Sequence, residues 1–452
     1  MTLNSRNKAA FGLGAFGKDI VYMLVSTYIL NYYNVELGMS SVFIGAVLMA
    51  ARVFDAINDP LMGILVARTK TRWGRFRPWI FSGTALNAVV TYALFAVPEM
   101  GDSAARVWLT VFYLLWGVTY TLMDIPFWSM IPAITMPGRD REELSSLARA
   151  CAGVGDAVPA VLTTLVVPVL SGGAAAGGWR IGYKWWALII SVFFLISEII
   201  FVLNVPERKL QDMEAPKVKQ MFTSLFRNDQ AMTVVATVIL GYTALNIVGN
   251  LMLYFCQYDI GDKGTYSLFT AVGFGGQVIM MALVPAFLKK VEKLRLFRLS
   301  IAIQVLGYGL LLVCAVTDIH RMIHWMILLF PALLIYVGYG VLNVMLTIFL
   351  SDSVDYGEVK NGSREESVIF SMQTFTVKLA SGIAVFLAGL VIDLIALKTD
   401  TASQTASTLM GLRLWMTIPS IVLLLAALII FKKSYKLDQA KMEEISRQLQ
   451  TR

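Results

Sequence analysis

In the segment ARVFDAINDP, residues 51–60, Arg52, Asp55 and Asp59 lie between the apolar runs SVFIGAVLMA and LMGILVA. Asp55 and Asp59 are four residues apart and Asn58 is three from the first, so on a helix all three project from one face. Two carboxylates and an amide oxygen are hard ligands that suit a small cation stripped of most of its water, such as Na+ or Li+. Without a cation the two acids repel, and a proton on one of them relieves the repulsion, so the same place serves H+. A structural ion pair with Arg52 or with another helix is the competing reading. A second constellation is TYTLMDIPFWSM, residues 119–130. Asp124 and Trp128 share a face, and Thr121, three residues before the acid, offers the cation one more oxygen. An acid beside an aromatic plate suits a sugar, since the carboxylate accepts from hydroxyls while the ring stacks on the apolar C–H face. A packing or interfacial tryptophan is the plainer alternative. Asp19 with Lys18, and Arg149, supply further hydroxyl partners.

These residues need elements to hold them, and composition says which. The chain has 452 residues, of which 57% are hydrophobic and only 15% charged, with mean hydropathy +0.68. Soluble chains carry about a quarter charged residues. The apolar excess falls in runs of roughly 20 residues or more, enough to cross about 30 Å of hydrocarbon as a helix. Twelve such runs are expected, at 11–33, 41–67, 79–98, 105–131, 144–170, 182–204, 230–256, 265–288, 297–317, 325–350, 367–396 and 410–431. The fold class is therefore an all-α membrane protein with twelve transmembrane helices. The first run is too long and too charged (Lys18, Asp19) for a cleavable signal peptide, and no A-x-A-like site follows it. Cys151, Cys256 and Cys314 lie inside predicted helices at spacings that suit no metal site or disulfide framework.

A charge in mid-membrane costs about 2.5–3.5 kcal/mol on insertion scales, so such groups face a cavity or a partner. Lys18, Asp19, Arg52, Asp55, Asp59, Asp124, Arg149 and Asp156 all fall in the first half, with Lys378 in the eleventh run. Asp156 is two turns beyond Arg149 on the same face, placed to neutralise it or to extend the polar site.

The net charge of +8 is a topology signal rather than a nucleic-acid footprint. Arg68, Lys70, Arg72, Arg75 and Arg77 crowd the connection after the second run, and Lys289, Lys290, Lys293, Arg295 and Arg298 the one after the eighth. NVELGMS, after the first run, has neither Lys nor Arg. Positive-inside bias puts both basic connections, the middle loop and both termini in the cytoplasm. The basic connections occupy corresponding places in two halves, which fits a parallel repeat with substrate between six-helix bundles. The expected division is a bundle at 1–205, a cytoplasmic loop at 206–229, a second bundle at 230–435 and a cytoplasmic tail at 436–452. Gly12–Gly17, GLGAFG, matches G-x-G-x-x-G literally but lacks the strand and βαβ unit of a dinucleotide site. Small residues so spaced let membrane helices approach closely. His320 and His324, in a short outer loop, are expected to be solvated. No H-E-x-x-H, nucleophile–base pair or metal cluster is visible, so an enzyme is not expected.

FGLGAFGKDI, ARVFDAINDPLMG, TRWGRFRPWI, WGVTYTLMDIPFWSMIPAIT, VDYGE and MQTFTVK together resemble the glycoside–pentoside–hexuronide:cation symporters of the major facilitator superfamily, with the melibiose-carrying members nearest. The resemblance covers both halves. It implies a Na+/Li+/H+ site at Asp55, Asn58, Asp59 and Thr121. It implies a sugar site at Lys18, Asp19, Asp124, Trp128 and Arg149, closed from the other half by Gln373, Thr374 and Lys378. It also implies a cytoplasmic charge network of Arg141, Asp352, Asp355, Glu358 and Arg364. Two aromatic residues of the family's sugar site are replaced here, by Asn343 and Ser26. Lactose and raffinose carriers in the family often carry a fused C-terminal phosphorelay domain, which is not expected here.

The implied activity is cation-coupled symport of a sugar, a galactoside such as melibiose, by alternating access. A glucuronide or pentoside is the alternative cargo, and a lysolipid on the same fold a more distant one. The expected setting is the inner membrane of a bacterium. The expected partners are the sugar, a monovalent cation and the lipid bilayer, with no cofactor, no nucleic acid and no second subunit.

Overall fold

A computed structural model of the chain describes residues 4–172, 179–207, 226–261, 264–362, 364–397 and 403–450. Twelve long helices run through them, with no strand among the described residues. The first six are α1 Ser5–Asn31, α2 Ser41–Arg68, α3 Arg77–Phe95, α4 Asp102–Ile134, α5 Arg139–Leu170 and α6 Arg180–Asn204. The second six are α7 Asp229–Tyr254, α8 Gly264–Leu288, α9 Lys293–Val316, α10 Leu329–Asn361, α11 Glu366–Leu394 and α12 Ala406–Ser434. A short α13, Gln439–Gln450, follows. Even the shortest of the twelve, 19 residues, is about 28 Å long. Among the described residues ten helices are long and apolar enough to cross a membrane. The multi-pass membrane architecture expected from the sequence is what the chain adopts.

Helix ends depart from the apolar runs where polar groups extend them. α1 starts at Ser5 because Asn4 and Asn7 form a reciprocal cap: Asn4 Oδ1 accepts from the Asn7 amide at 2.8 Å, and Asn7 Oδ1 from the Asn4 amide at 3.1 Å. α10 runs eleven residues past the expected end at 350, to Asn361, and Asp352 in that extension pairs with Lys293 Nζ at 3.3 Å.

The chain divides into two compact units. One is Met1–Ser224 with Ser363–Phe375, the other Leu225–Gly362 with Thr376–Arg452. The expected middle loop lies largely outside the described residues, at 208–225. Within the first unit α1 packs on α5 and α6, α3 on α4 and α6, and α2 on α4. Within the second, α7 packs on α12, α9 on α10 and α12, and α8 on α10. Four of these pairings recur between corresponding helices of the two halves. A wide helical turn also continues α1 at Tyr32–Glu36 and α7 at Phe255–Ile260.

The GLGAFG run serves packing. A Cβ at Gly17 would overlap Ser197 of α6, and one at Gly12 would lie 2.9 Å from Cys151 Sγ of α5. Across the same seam a Cβ at Gly155 of α5 would lie 3.3 Å from the Asp19 Cβ. Only glycine lets α1 come this near its neighbours, which brings Lys18 and Asp19 into the bundle interior.

Candidate functional site

α4 is the organising helix of the first unit. Gly117 and Thr121 form one i, i+4 row and face α2. Asp55 stands opposite Gly117, where a Cβ would meet its Oδ1 at 3.1 Å. Asp59 stands opposite Thr121, whose Oγ1 donates to Asp59 Oδ1 at 2.9 Å. The two contacts have the same residue offset, so α2 and α4 run in parallel register here. Asp55 and Asp59 are buried, Asp59 completely. Arg52 Nη1 is 3.9 Å from Asp55 Oδ2, at the limit of ion-pair distance, and its side chain is a third exposed. The ion pair with Arg52 named by the competing reading is present in this long form. Asn58 Nδ2 is buried with no hydrogen-bond partner among the described residues. Pro60 sits inside α2 next to Asp59, and Pro126 inside α4 two residues past Asp124, each removing a backbone donor within a turn of an acid.

A second row on α4, Tyr120, Asp124 and Trp128, faces α1 and α5. Lys18 is buried and bridges two acids, with Nζ 2.7 Å from Asp19 Oδ1 and 2.9 Å from Asp124 Oδ1. Tyr120 donates to the same Asp19 oxygen at 3.1 Å, and Trp128 Nε1 to the same Asp124 oxygen at 3.0 Å. Each carboxylate thus takes two donors on Oδ1. Among the described residues no donor reaches either Oδ2, and the side chains keep 13% and 9% exposure. The cluster presents two carboxyl acceptor oxygens fixed by shared donors, an arrangement suited to hydroxyl groups.

Trp128 does not offer a bare plate. The Arg149 guanidinium lies 3.7 Å from its ring centroid and Lys18 Nζ 4.7 Å, so a stacking ligand meets a ring already carrying a cation. Asp156 joins this cluster through its interactions with Asp19, Lys18 and Arg149. Tyr120 was not singled out from sequence, although it is one turn before Asp124. Neither was Glu198 of α6, an acid in a helix of mean hydropathy 2.6, which satisfies the criterion that picked out the others.

The remaining predicted residues distribute between the units. Gln373 and Thr374 lie on the part of α11 that groups with the first unit, and Lys378 on the part that groups with the second. Thr374 Oγ1 donates to Phe370 O at 3.3 Å. Arg141 is buried and ties down the end of α4, donating to Thr135 O at 2.8 Å and Thr135 Oγ1 at 3.2 Å. Arg364 donates to Pro132 O and lies 3.7 Å from Glu366. Asp352, Asp355 and Glu358 follow one another along the end of α10. Asn343 donates to the Tyr242 hydroxyl at 2.8 Å within the second unit, and Ser26 donates to Met23 O at 3.5 Å.

The expectation that both histidines are solvated holds for His324 and fails for His320. His320 is buried, with Nε2 3.3 Å from Asp259 Oδ1 and Nδ1 3.0 Å from Cys314 O. Its loop folds back onto a charge cluster the sequence reading missed. Arg413 binds Asp259 in a fork, at 2.6 and 2.9 Å, and reaches Asp318 at 2.6 Å. Asp259, Asp318 and His320 lie close enough to suggest a cation site, but the guanidinium already occupies both Asp259 oxygens.

Comparison with known proteins fits this architecture. Residues 10–439 match a family model described as MFS/sugar transport protein. The chain is 30% identical to the lactose permease of Lactobacillus delbrueckii subsp. bulgaricus, over 98% of this chain and 72% of that one. It is 28% identical to a putative sulfoquinovose importer of Salmonella typhimurium, over 100% of this chain and 94% of that one. Among solved structures, the proton:xylose symporter XylE bound to 6-bromo-6-deoxy-D-glucose has a TM-score of 0.70, covering 97% of this chain and 98% of that one. At 12% identity that is a likeness of fold.

Proposed function

This chain belongs to the MFS/sugar transport family, the glycoside–pentoside–hexuronide symporters, as a membrane transporter and not an enzyme, and we propose that it is a cation-coupled symporter of a neutral sugar, a galactoside such as melibiose. The observation that carries the reading is the pair of rows on α4. One row meets Asp55 and Asp59 of α2, and the adjacent row holds Asp124 with Lys18 and Asp19.

In this reading Asp55, Asn58, Asp59 and Thr121 take Na+, Li+ or H+. The cation neutralises the acids of α2 and fixes how α2 and α4 lie side by side. Tyr120, Asp124 and Trp128 share α4 with Thr121, so they are fixed with it. Sugar hydroxyls then donate to Oδ2 of Asp19 and Asp124. A cation that raises sugar affinity requires that sugar raise cation affinity by the same factor. Transport follows by alternating access in the inner membrane of a bacterium, with the termini cytoplasmic and the protein acting as a monomer. Gln373, Thr374 and Lys378 are the further sugar-site candidates in this reading, and Arg141, Asp352, Asp355, Glu358 and Arg364 the candidates for the cytoplasmic network.

The named substrates of the relatives, lactose and sulfoquinovose, support a sugar as cargo. A glucuronide or pentoside is the second reading, and the cation stacked on Trp128 favours the glucuronide, because Arg149 beside that ring suits a sugar carboxylate. A lysolipid fits this polar cluster poorly. The test is galactoside uptake into membrane vesicles with an imposed inward Na+ gradient. Wild-type protein accumulates sugar, whereas Asp59→Cys loses Na+ stimulation while still binding some sugar. Full Na+ stimulation of the Asp59→Cys protein excludes the cation site.

A further inference from the structure

The cluster around Lys18 is unbalanced. Two cations, Lys18 and Arg149, stand among four carboxyls, Asp19, Asp124, Asp156 and Glu198. The α2 cation site lies on the other row of α4 and leaves this excess untouched. Two of the four acids have ion-pair partners. Lys18 holds Asp19 and Asp124, and Asp156 is only partly buried. Glu198 differs. It retains 1% exposure, and neither carboxyl oxygen has a hydrogen-bond partner among the described residues.

Its place in the bundle is set by the Gly17 seam, where Ser197 fits against α1 one residue before Lys18. The charges that reach Glu198 are Lys18 and Asp19 from α1 and Asp124 from α4. From α5, Arg149 and Asp156 act on the same cluster through Asp19 and Lys18. α3, which also packs on α6, brings Arg77 at its first residue and Tyr92 in its last turn. An ionised carboxyl in this position gives up its hydration and gains no hydrogen bond in return, whereas the neutral acid loses far less.

We propose that Glu198 is a proton-binding site, separate from the Asp55/Asp59 pair, whose protonated form leaves Lys18 on Asp19 and Asp124 and thereby sets sugar affinity. This rests on the symport reading for its consequence, though not for the proton itself. If the proton leaves, a third anion competes for one ammonium group. Lys18 is then drawn towards α6, and the two acceptor carboxylates lose the donor that fixes them. Sugar affinity at saturating Na+ therefore falls as pH rises, and bound sugar raises the affinity of Glu198 for its proton by the same factor.

The test uses the full chain purified in detergent, with 4-nitrophenyl α-D-galactoside as the probe and Na+ saturating. Between about pH 6 and about pH 9 the wild-type affinity is expected to fall by roughly tenfold or more. Glu198→Gln, neutral at every pH, stays flat and keeps its Na+ dependence. Glu198→Leu does the same if the amide disturbs packing. A wild-type pH profile retained in both variants overturns the proposal. Infrared spectroscopy of the wild-type protein needs neither sugar nor a variant. A protonated-carboxyl C=O band must be present at neutral pH, and its absence also overturns the proposal. Sugar binding indifferent to Na+, with the band present and removed in Glu198→Gln, upholds the proton site and sinks the symport reading instead.

Discussion

Asp124→Asn is the most informative single change. The asparagine keeps its shape, and its Oδ1 can still accept from Trp128 Nε1 and Lys18 Nζ, now at 3.0 and 2.9 Å. What changes is the other atom. Oδ2, the acceptor on which the sugar reading depends, becomes an NH2 donor, and the negative charge disappears. Lys18 retains Asp19 at 2.7 Å, so the ammonium group is not stranded and the bundle is not expected to unfold. The loss is one charge-assisted hydrogen bond from a sugar hydroxyl, about 1.5–3 kcal/mol. That corresponds to a fall in sugar affinity of about 10- to 150-fold. Thr121 and Asp59, on the neighbouring row of α4, keep their 2.9 Å contact, so Na+ affinity without sugar stays within about threefold of wild type. Titration calorimetry with galactoside at saturating Na+, and with Na+ alone, reads both quantities. Sugar affinity within threefold of wild type would refute Asp124 as an acceptor. A parallel collapse of Na+ affinity would refute the separation of the two rows.

Gly17→Val forces a branched side chain into Ser197 across the α1–α6 seam. Overpacking of this kind costs about 1–3 kcal/mol, so thermal unfolding in detergent shifts down and sugar affinity falls with it. Gly45→Ala, where nothing lies within 4 Å of the added carbon, leaves both unchanged. Arg413→Gln strips the fork from Asp259, whose side chain is fully buried. Breaking a buried pair from one side costs about 3–5 kcal/mol where it leaves the charge alone. Arg321 stays 2.7 Å from Asp259, so the cost is smaller, and the midpoint of thermal unfolding drops while the ratio of sugar affinities in Na+ and choline is preserved. A changed ratio there would tie the α7–α12 cluster to coupling.

Most of the twelve helices were legible because each is an apolar run of membrane length, ten of them among the described residues, and a run needs no partner to be recognised. Their ends were less so. The polar tail of α10 reads as a loop by hydropathy, yet Asp352 in it is buried against Lys293. The acids of α2 and α4 were legible for a related reason: a carboxylate in oil stands out, and i, i+4 spacing puts it on a face. Contacts between helices were not. Lys18 reads only as a charge beside Asp19, and nothing along the chain says that it also bridges to Asp124 on another helix. Tyr120 was passed over because tyrosines are common in such helices, and only its 3.1 Å bond to Asp19 marks it. His320 was misread because a short polar loop looks solvated until the fold returns it to Asp259.

The central claim is that α4 ties a cation site to a sugar site. The most direct measurement is a galactoside binding titration of the purified wild-type protein at fixed pH in Na+, Li+ and choline media. Tighter binding is expected in Na+ and Li+ than in choline, with the reciprocal gain in cation affinity when sugar is present. Equal affinities in all three media would contradict it.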